Sequence, residues 1–126
     1  MSVTVRSTEQ AIRVCAGDEL APGEMRAVSL GRLPAVVIRL RDGSLHALVN
    51  RCLHHGAPLS GGRLGHGSRG AGGVGDYRAD ESVDALRCPW HGYEYDVRTG
   101  CTLFDPGRRL RRLTVWEEDG SVLLAP

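Results

Sequence analysis

Hydrophobic and polar positions alternate over short stretches at both ends of this chain. "VTVR" and "AIRVC" are β-branched runs near the start, and "EMRAVSL", "AVVIRL" and "LHALVN" follow, each about six residues long. "RDGS" separates the last two. Its Asp42-Gly43 pair is a hairpin signal, because Asp-Gly supplies the positive φ angles of a tight turn. Near the other end, "LRRLTVWEE" and "SVLLA" flank a second such pair, Asp119-Gly120. There Leu110, Leu113, Val115, Val122 and Leu124 are the candidate core positions, with arginines facing water. Only "CAGDEL" and "GEMRA" carry even weak helical character. Regular short strands with turn punctuation predict an all-β fold, an antiparallel β-barrel or sandwich.

The middle of the chain breaks this pattern. From Gly61 to Gly75, eight of fifteen residues are glycine. Such a stretch loses much entropy on ordering and has little apolar surface to bury. It reads as a flexible surface loop, followed by the polar "DYRADESVD". Order is expected to return at "DALRC", a short strand. There is no internal repeat.

Length sets the scale: 126 residues suffice for one domain, 1–126, with one moderate core. Sixteen basic residues stand against fifteen acidic ones, which argues against a nucleic-acid partner held by phosphate neutralisation. All sixteen are arginine, which reads as compositional bias of the source genome. The N-terminal "MSVTVRSTEQAIRVC" lacks the apolar run of a signal peptide, and no stretch approaches a membrane span. The expectation is a cytoplasmic protein without membrane contact. In a reducing compartment four cysteines are expected as ligands or buried thiols.

Two loops carry the chemistry. "RCLHHGAPLSGGRL" and "RCPWHGYEYD" place Cys52 and His54 in a C-x-H pattern, then, thirty-three residues on, Cys88 and His91 in C-x-x-H. Each loop offers one thiolate and one imidazole, and each is followed by a glycine, Gly56 or Gly92. Glycine allows a sharp turn and lets main-chain N–H groups approach a ligand. Zinc accepts two cysteines and two histidines, but commonly as a cysteine pair and a histidine pair. Here each loop mixes the two types. A 2Fe–2S cluster, with two thiolates on one iron and two imidazoles on the other, suits the mixture better. Zinc stays the alternative.

The paired motifs "CLHHGAPLSGGRL" and "CPWHGYEYDVRTG", with "FDPGRRLRRL" after them, resemble the Rieske-type 2Fe–2S proteins. A weaker match through "GDELAPGEMRAVSLGRLPAVVIRLRDGSLHALVNRC" is similar to the small Rieske ferredoxins of multicomponent oxygenase systems. The resemblance implies Cys52 and Cys88 on the inner iron, with His54 and His91 on the outer one. It implies a β-barrel base with an inserted cluster-binding subdomain at about residues 50–104. It also places a glycine-rich insertion at about 61–80, some sixteen residues longer than usual, with a tolerated surface insertion and a docking element as its two readings. High-potential relatives have a disulfide between the loops, at positions held here by Ala57 and Trp90. They also have a serine where this chain has Tyr93, although Tyr95 matches their tyrosine. A low potential follows as an expectation.

The function the resemblance implies is that of a one-electron carrier, not an enzyme, between a flavin-containing reductase and a terminal oxygenase. A small subunit of a larger reductase, such as assimilatory nitrite reductase, is the alternative. A zinc-held or redox-sensing regulatory module is the third reading. The mononuclear-iron domain of the related oxygenases has no counterpart in this sequence. Remaining candidates have plainer readings. His55, His46 and His66 read as surface or structural. Cys15 and Cys101 read as small buried hydrophobes, with a disulfide between them as the minor alternative. Trp90 reads equally as cluster shield or docking face, Trp116 as core or barrel surface, and the arginines of "GRRLRR" as a solvated strand face.

Overall fold

A computed structural model describes residues 11–53, 56–70, 77–89, 92–103, 105 and 107–126. The expected strand at "VTVR" lies outside them. Among the described residues nine strands follow in chain order: β1 (Ile12–Ala16), β2 (Met25–Leu30), β3 (Leu33–Arg39), β4 (Leu45–Val49), β5 (Arg63–Gly70), β6 (Tyr77–Arg87), β7 (Glu94–Asp96), β8 (Arg112–Glu118) and β9 (Ser121–Ala125). Two short 3-10 turns, Gly17–Glu19 and Leu59–Gly61, are the only helical segments among the described residues. The fold is all-β, as the alternation predicted, and "GEMRA" forms no helix: Met25–Ala27 open β2.

The chain divides into two compact units, 1–49 with 112–126, and 50–111. In the first unit six strands form one antiparallel sheet, ordered β1-β9-β8-β4-β3-β2, that curls into a nearly closed barrel. Its core gathers Cys15, Leu20, Leu30, Ala35, Val37, Ala47, Leu113, Val122 and Leu124. Burying one Val or Leu side chain contributes about 1.5–3 kcal/mol. Val115, a candidate core position, is half-buried and packs against this cluster. In β3, Val36 and Ile38 on the other face are buried too, so this strand is a continuous apolar run.

The two hairpin signals resolve differently. At Asp119-Gly120 both residues take positive φ, 51° and 76°, giving the two-residue turn of β8 and β9. At Asp42-Gly43 only Gly43 does, with φ 89°. The Gly43 N–H donates to the Leu40 carbonyl at 2.9 Å, and the Leu40 N–H to Ser44 at 2.9 Å. This is a type I turn closed by a left-handed glycine.

The second unit holds the three-stranded sheet β5-β6-β7. Here the sequence reading needs correction. Residues 63–70 are not a flexible loop but β5, paired antiparallel with an eleven-residue β6 that begins at Tyr77, ahead of "DALRC". Ladder bonds need only main-chain groups, so glycine does not prevent them. At Gly67 the missing side chain leaves room for its neighbours: an added Cβ would lie 2.5 Å from Leu103 Cδ1 and 3.3 Å from Val83, so the Leu103 side chain would have to move. The ladder is irregular there, between His66 and Gly67.

Candidate metal centre

Each cysteine loop is shaped by its own main chain. In the first, the Cys52 N–H donates to the Ala57 carbonyl at 2.8 Å, and the Gly56 N–H donates back to the Cys52 carbonyl at 2.8 Å. In the second, the Cys88 N–H donates to Tyr93 at 2.7 Å, and the Gly92 N–H to Cys88 at 3.2 Å. The same two bonds recur at the same spacing. Gly56 and Gly92 take left-handed φ, 74° and 72°, which lets each loop turn back on its cysteine. Both thiols are buried, at 2% exposure each.

Two contacts draw these loops together, and a third closes the first loop on itself. Tyr95, fully buried on β7, places its hydroxyl 3.3 Å from the Cys52 sulfur and accepts the Leu53 N–H at 2.9 Å. Since β7 leaves the second loop and pairs with β6, Tyr95 ties one loop to the other. Gly62 meets the Arg87 carbonyl so closely that a Cβ would collide with it. Arg87 precedes Cys88, so this is main chain packed on main chain. Asn50, buried at the start of the first loop, donates to Ser60 Oγ at 2.9 Å and accepts the Ser60 N–H at 2.8 Å.

Burial pushes the Tyr95 hydroxyl well above the usual phenol range. Its hydrogen bond to Cys52 and the charges of Cys52 and Cys88 add to this, while the Leu53 N–H opposes it. The hydroxyl therefore keeps its proton and is available as a donor to sulfur.

His54 and His91, with His55 and Trp90, lie outside the described residues. Among those residues no group of three or more His, Cys, Asp or Glu side chains could hold a metal ion. All four cysteines are free, so Cys15 and Cys101 form no disulfide. Cys15 is buried, whereas Cys101 is half-buried and sits in an isolated bridge with Arg109. His46 is half-buried beside Ser44 Oγ at 2.9 Å, and His66 is exposed on β5. Trp116 is half-buried and donates to Glu118 at 2.9 Å. In the proline-containing segment, the Thr102 hydroxyl donates to the Asp105 carbonyl, and the Thr102 N–H to Arg108 at 2.9 Å. Phe104 and Pro106 lie outside the described residues.

The donor set fits a thiolate-held cluster. Two buried thiols sit on twin loops, and a protonated hydroxyl reaches one sulfur. The sequence reading missed Asn50 and Gly62; "GG" at 61–62 was visible, but nothing in it pointed to contact with residue 87.

Comparison with known proteins agrees. The model of the Rieske [2Fe-2S] domain matches residues 10–117. Apoptosis-inducing factor 3 of Mus musculus and Homo sapiens is 34% identical over 87 residues, which are 69% of this chain but only 11% of theirs. The chain thus spans about a tenth of those proteins. Ferredoxin CarAc of Metapseudomonas resinovorans is 30% identical over 96 residues, 75% of this chain and 73% of that one. Among solved structures, the ferredoxin of carbazole 1,9a-dioxygenase from Nocardioides aromaticivorans IC177 superposes with TM-score 0.72 at 26% identity, covering 93% of this chain and 98% of that one. A structure assigned as the NADH-dependent nitrite reductase small subunit of Mycobacterium tuberculosis gives TM-score 0.75 at 24% identity, over 92% and 94% of the two chains, and shows the fold. This chain belongs to the Rieske [2Fe-2S] domain family, and its cofactor is a Rieske-type 2Fe–2S cluster.

Proposed function

We propose that the chain is a one-electron carrier, a Rieske-type ferredoxin that takes electrons from a flavin-containing reductase and passes them to a terminal oxygenase. Cys52, Cys88, His54 and His91 are the proposed ligands, thiols on one iron and imidazoles on the other, within a single domain whose cluster-binding subdomain covers about residues 50–104. The observation that carries the reading is the Tyr95 hydroxyl on the Cys52 sulfur between two matched main-chain loops. The similarity to a ferredoxin of which this chain covers 73% supports the carrier role, because there one such domain makes up most of the protein.

When bound, the cluster supplies one reversible electron step. With both histidines neutral, the ferric irons, sulfides and thiolates sum to zero charge, so an added electron meets less repulsion than in an all-cysteine site. The protein's part is to keep the thiolates buried and hydrogen-bonded. Ala57 replaces one half of the inter-loop disulfide and Tyr93 replaces the serine donor of high-potential relatives. Both changes favour a potential near the low end of the family range, roughly −150 mV. A fixed subunit of a larger reductase is the second reading, supported by the likeness in fold to the nitrite reductase small subunit.

Potentiometric titration followed by electron paramagnetic resonance tests the proposal. A mixed-ligand 2Fe–2S signal near −150 mV is expected, and a midpoint above about +100 mV would refute the low-potential argument. A zinc-loaded protein with no signal after anaerobic iron–sulfur reconstitution would remove electron transfer altogether. Stoichiometric copurification with a larger reductase would favour the second reading.

A further inference from the structure

One face of the β5-β6-β7 sheet carries a groove of about 210 Å³, lined by Arg63, Gly65, His66, Ala85, Arg87 and Glu94 among others. Register puts three of these in one row across the strands: Arg63 opposite Arg87, and Arg87 opposite Glu94. Arg87 Nη2 pairs with Glu94 Oε2 at 2.6 Å. The Arg63 side chain is exposed and makes no hydrogen bond or ion pair among the described residues. The row therefore reads cation, cation, anion, with two like charges directly opposite, an arrangement that repels. The neighbouring row on the same face is Gly65 opposite Ala85, two small residues, and it ends on β7 with Asp96 opposite Ala85. A Cβ on Gly65 would meet nothing within 4 Å, so the space beside the arginines stays open.

We propose that this groove is a docking site for an acidic side chain, aspartate or glutamate, on the surface of the electron-transfer partner. A carboxylate seated between Arg63 and Arg87 makes the row alternate in sign, and arginine's fork suits a carboxylate. Charge balance points the same way. Residues 50–111 hold nine arginines against seven carboxylates, whereas the rest of the chain holds seven against eight. Position adds a reason: β5 follows the first cysteine loop, and Arg87 directly precedes Cys88. A partner anchored here sits beside both loops. The inference rests on the carrier reading, since only a carrier must dock repeatedly.

Isothermal titration calorimetry of the cluster-loaded protein with a hexaglutamate peptide at low salt is the test. Arg63→Gln removes the unpaired cation, and Arg32→Gln, an exposed arginine of the other unit, is the control. Arg63→Gln should weaken peptide binding about tenfold, or about 1.4 kcal/mol, and Arg32→Gln should leave it unchanged. No peptide binding, or equal losses in both variants, overturns the proposal. Glutarate binding as tightly as the peptide also overturns it and leaves a site for small free carboxylates. The resonance signal is recorded on the same samples. An intact signal with no peptide binding sinks the docking site alone, whereas a missing signal sinks the carrier reading.

Discussion

Replacing Tyr95 by phenylalanine isolates one hydroxyl without changing the packing of a fully buried ring. Two interactions go with it: the contact with the Cys52 sulfur at 3.3 Å and the acceptor of the Leu53 N–H at 2.9 Å. The first acts on the redox equilibrium. Reduction puts negative charge on the cluster sulfurs, so a donor to Cys52 stabilises the reduced form more than the oxidised one. A hydrogen bond to a charged group contributes about 1.5–3 kcal/mol in total, and only the part that differs between oxidation states counts, roughly 1 kcal/mol. With 59 mV equal to a tenfold change for one electron, this lowers the midpoint by about 40 mV. The second loss acts on stability, because a Leu53 N–H without its acceptor costs about 1 kcal/mol. Burial holds the Tyr95 proton well above the usual phenol range, so the difference between variant and parent should be the same at roughly pH 6 and pH 9. Any histidine-linked pH dependence is common to both proteins and cancels. Protein-film voltammetry measures the shift, and thermal melting measures the stability. A midpoint that moves by less than about 10 mV, or moves upward, would show that the hydroxyl does not serve the sulfur.

Three further outcomes follow from the loop contacts and the hairpin. Gly62→Ala should destabilise the protein by about 1–3 kcal/mol and lower its iron content, because the new Cβ collides with the Arg87 carbonyl; melting and iron analysis check this. Asn50→Ala should cost about 2 kcal/mol, since it removes both bonds to Ser60, and urea unfolding measures that loss. Replacing residues 68–79 by Asn-Gly should leave the resonance signal intact and the midpoint within about 10 mV of the parent. Among the described residues the outer ladder, Ser68–Gly70 against Tyr77–Ala79, pairs only with itself, whereas β7 pairs with Ala85–Arg87.

Most barrel strands were legible because one apolar face suffices and period-two alternation records it, whereas β3, buried on both faces, stood out as an unbroken apolar run. Val122 and Leu124 are buried on β9 as the pattern predicted. The glycine-rich stretch was not legible. Composition speaks to entropy, but β5 forms because its main-chain groups meet those of β6, and at Gly67 the missing side chain makes room for Leu103 and Val83. In the metal centre, the cysteine loops stood out by spacing alone, and the place of Tyr95 came with the family resemblance. Asn50 and Gly62 stayed hidden. One acts through paired hydrogen bonds, the other through close approach to a strand twenty-five residues away, and neither leaves a motif.

The matched bonds in the two loops also divide the labour between main chain and side chains. Loop shape is set by the amides of Cys52, Gly56, Cys88 and Gly92, and by two left-handed glycines. An L-residue at either glycine is strained by roughly 1–2 kcal/mol, so these positions tolerate little change. The residue after each cysteine is different: Leu53 is 38% exposed, and Pro89 is exposed. The Leu53 side chain takes no part in the loop bonds; only its N–H does, through Tyr95. A change there alters the outer surface and leaves the sulfur positions as they are. Loop shape and outer surface are thus encoded by different atoms of the same six-residue loops. Tyr95 is the exception, because its hydroxyl joins the Cys52 sulfur to the main chain of that exposed leucine.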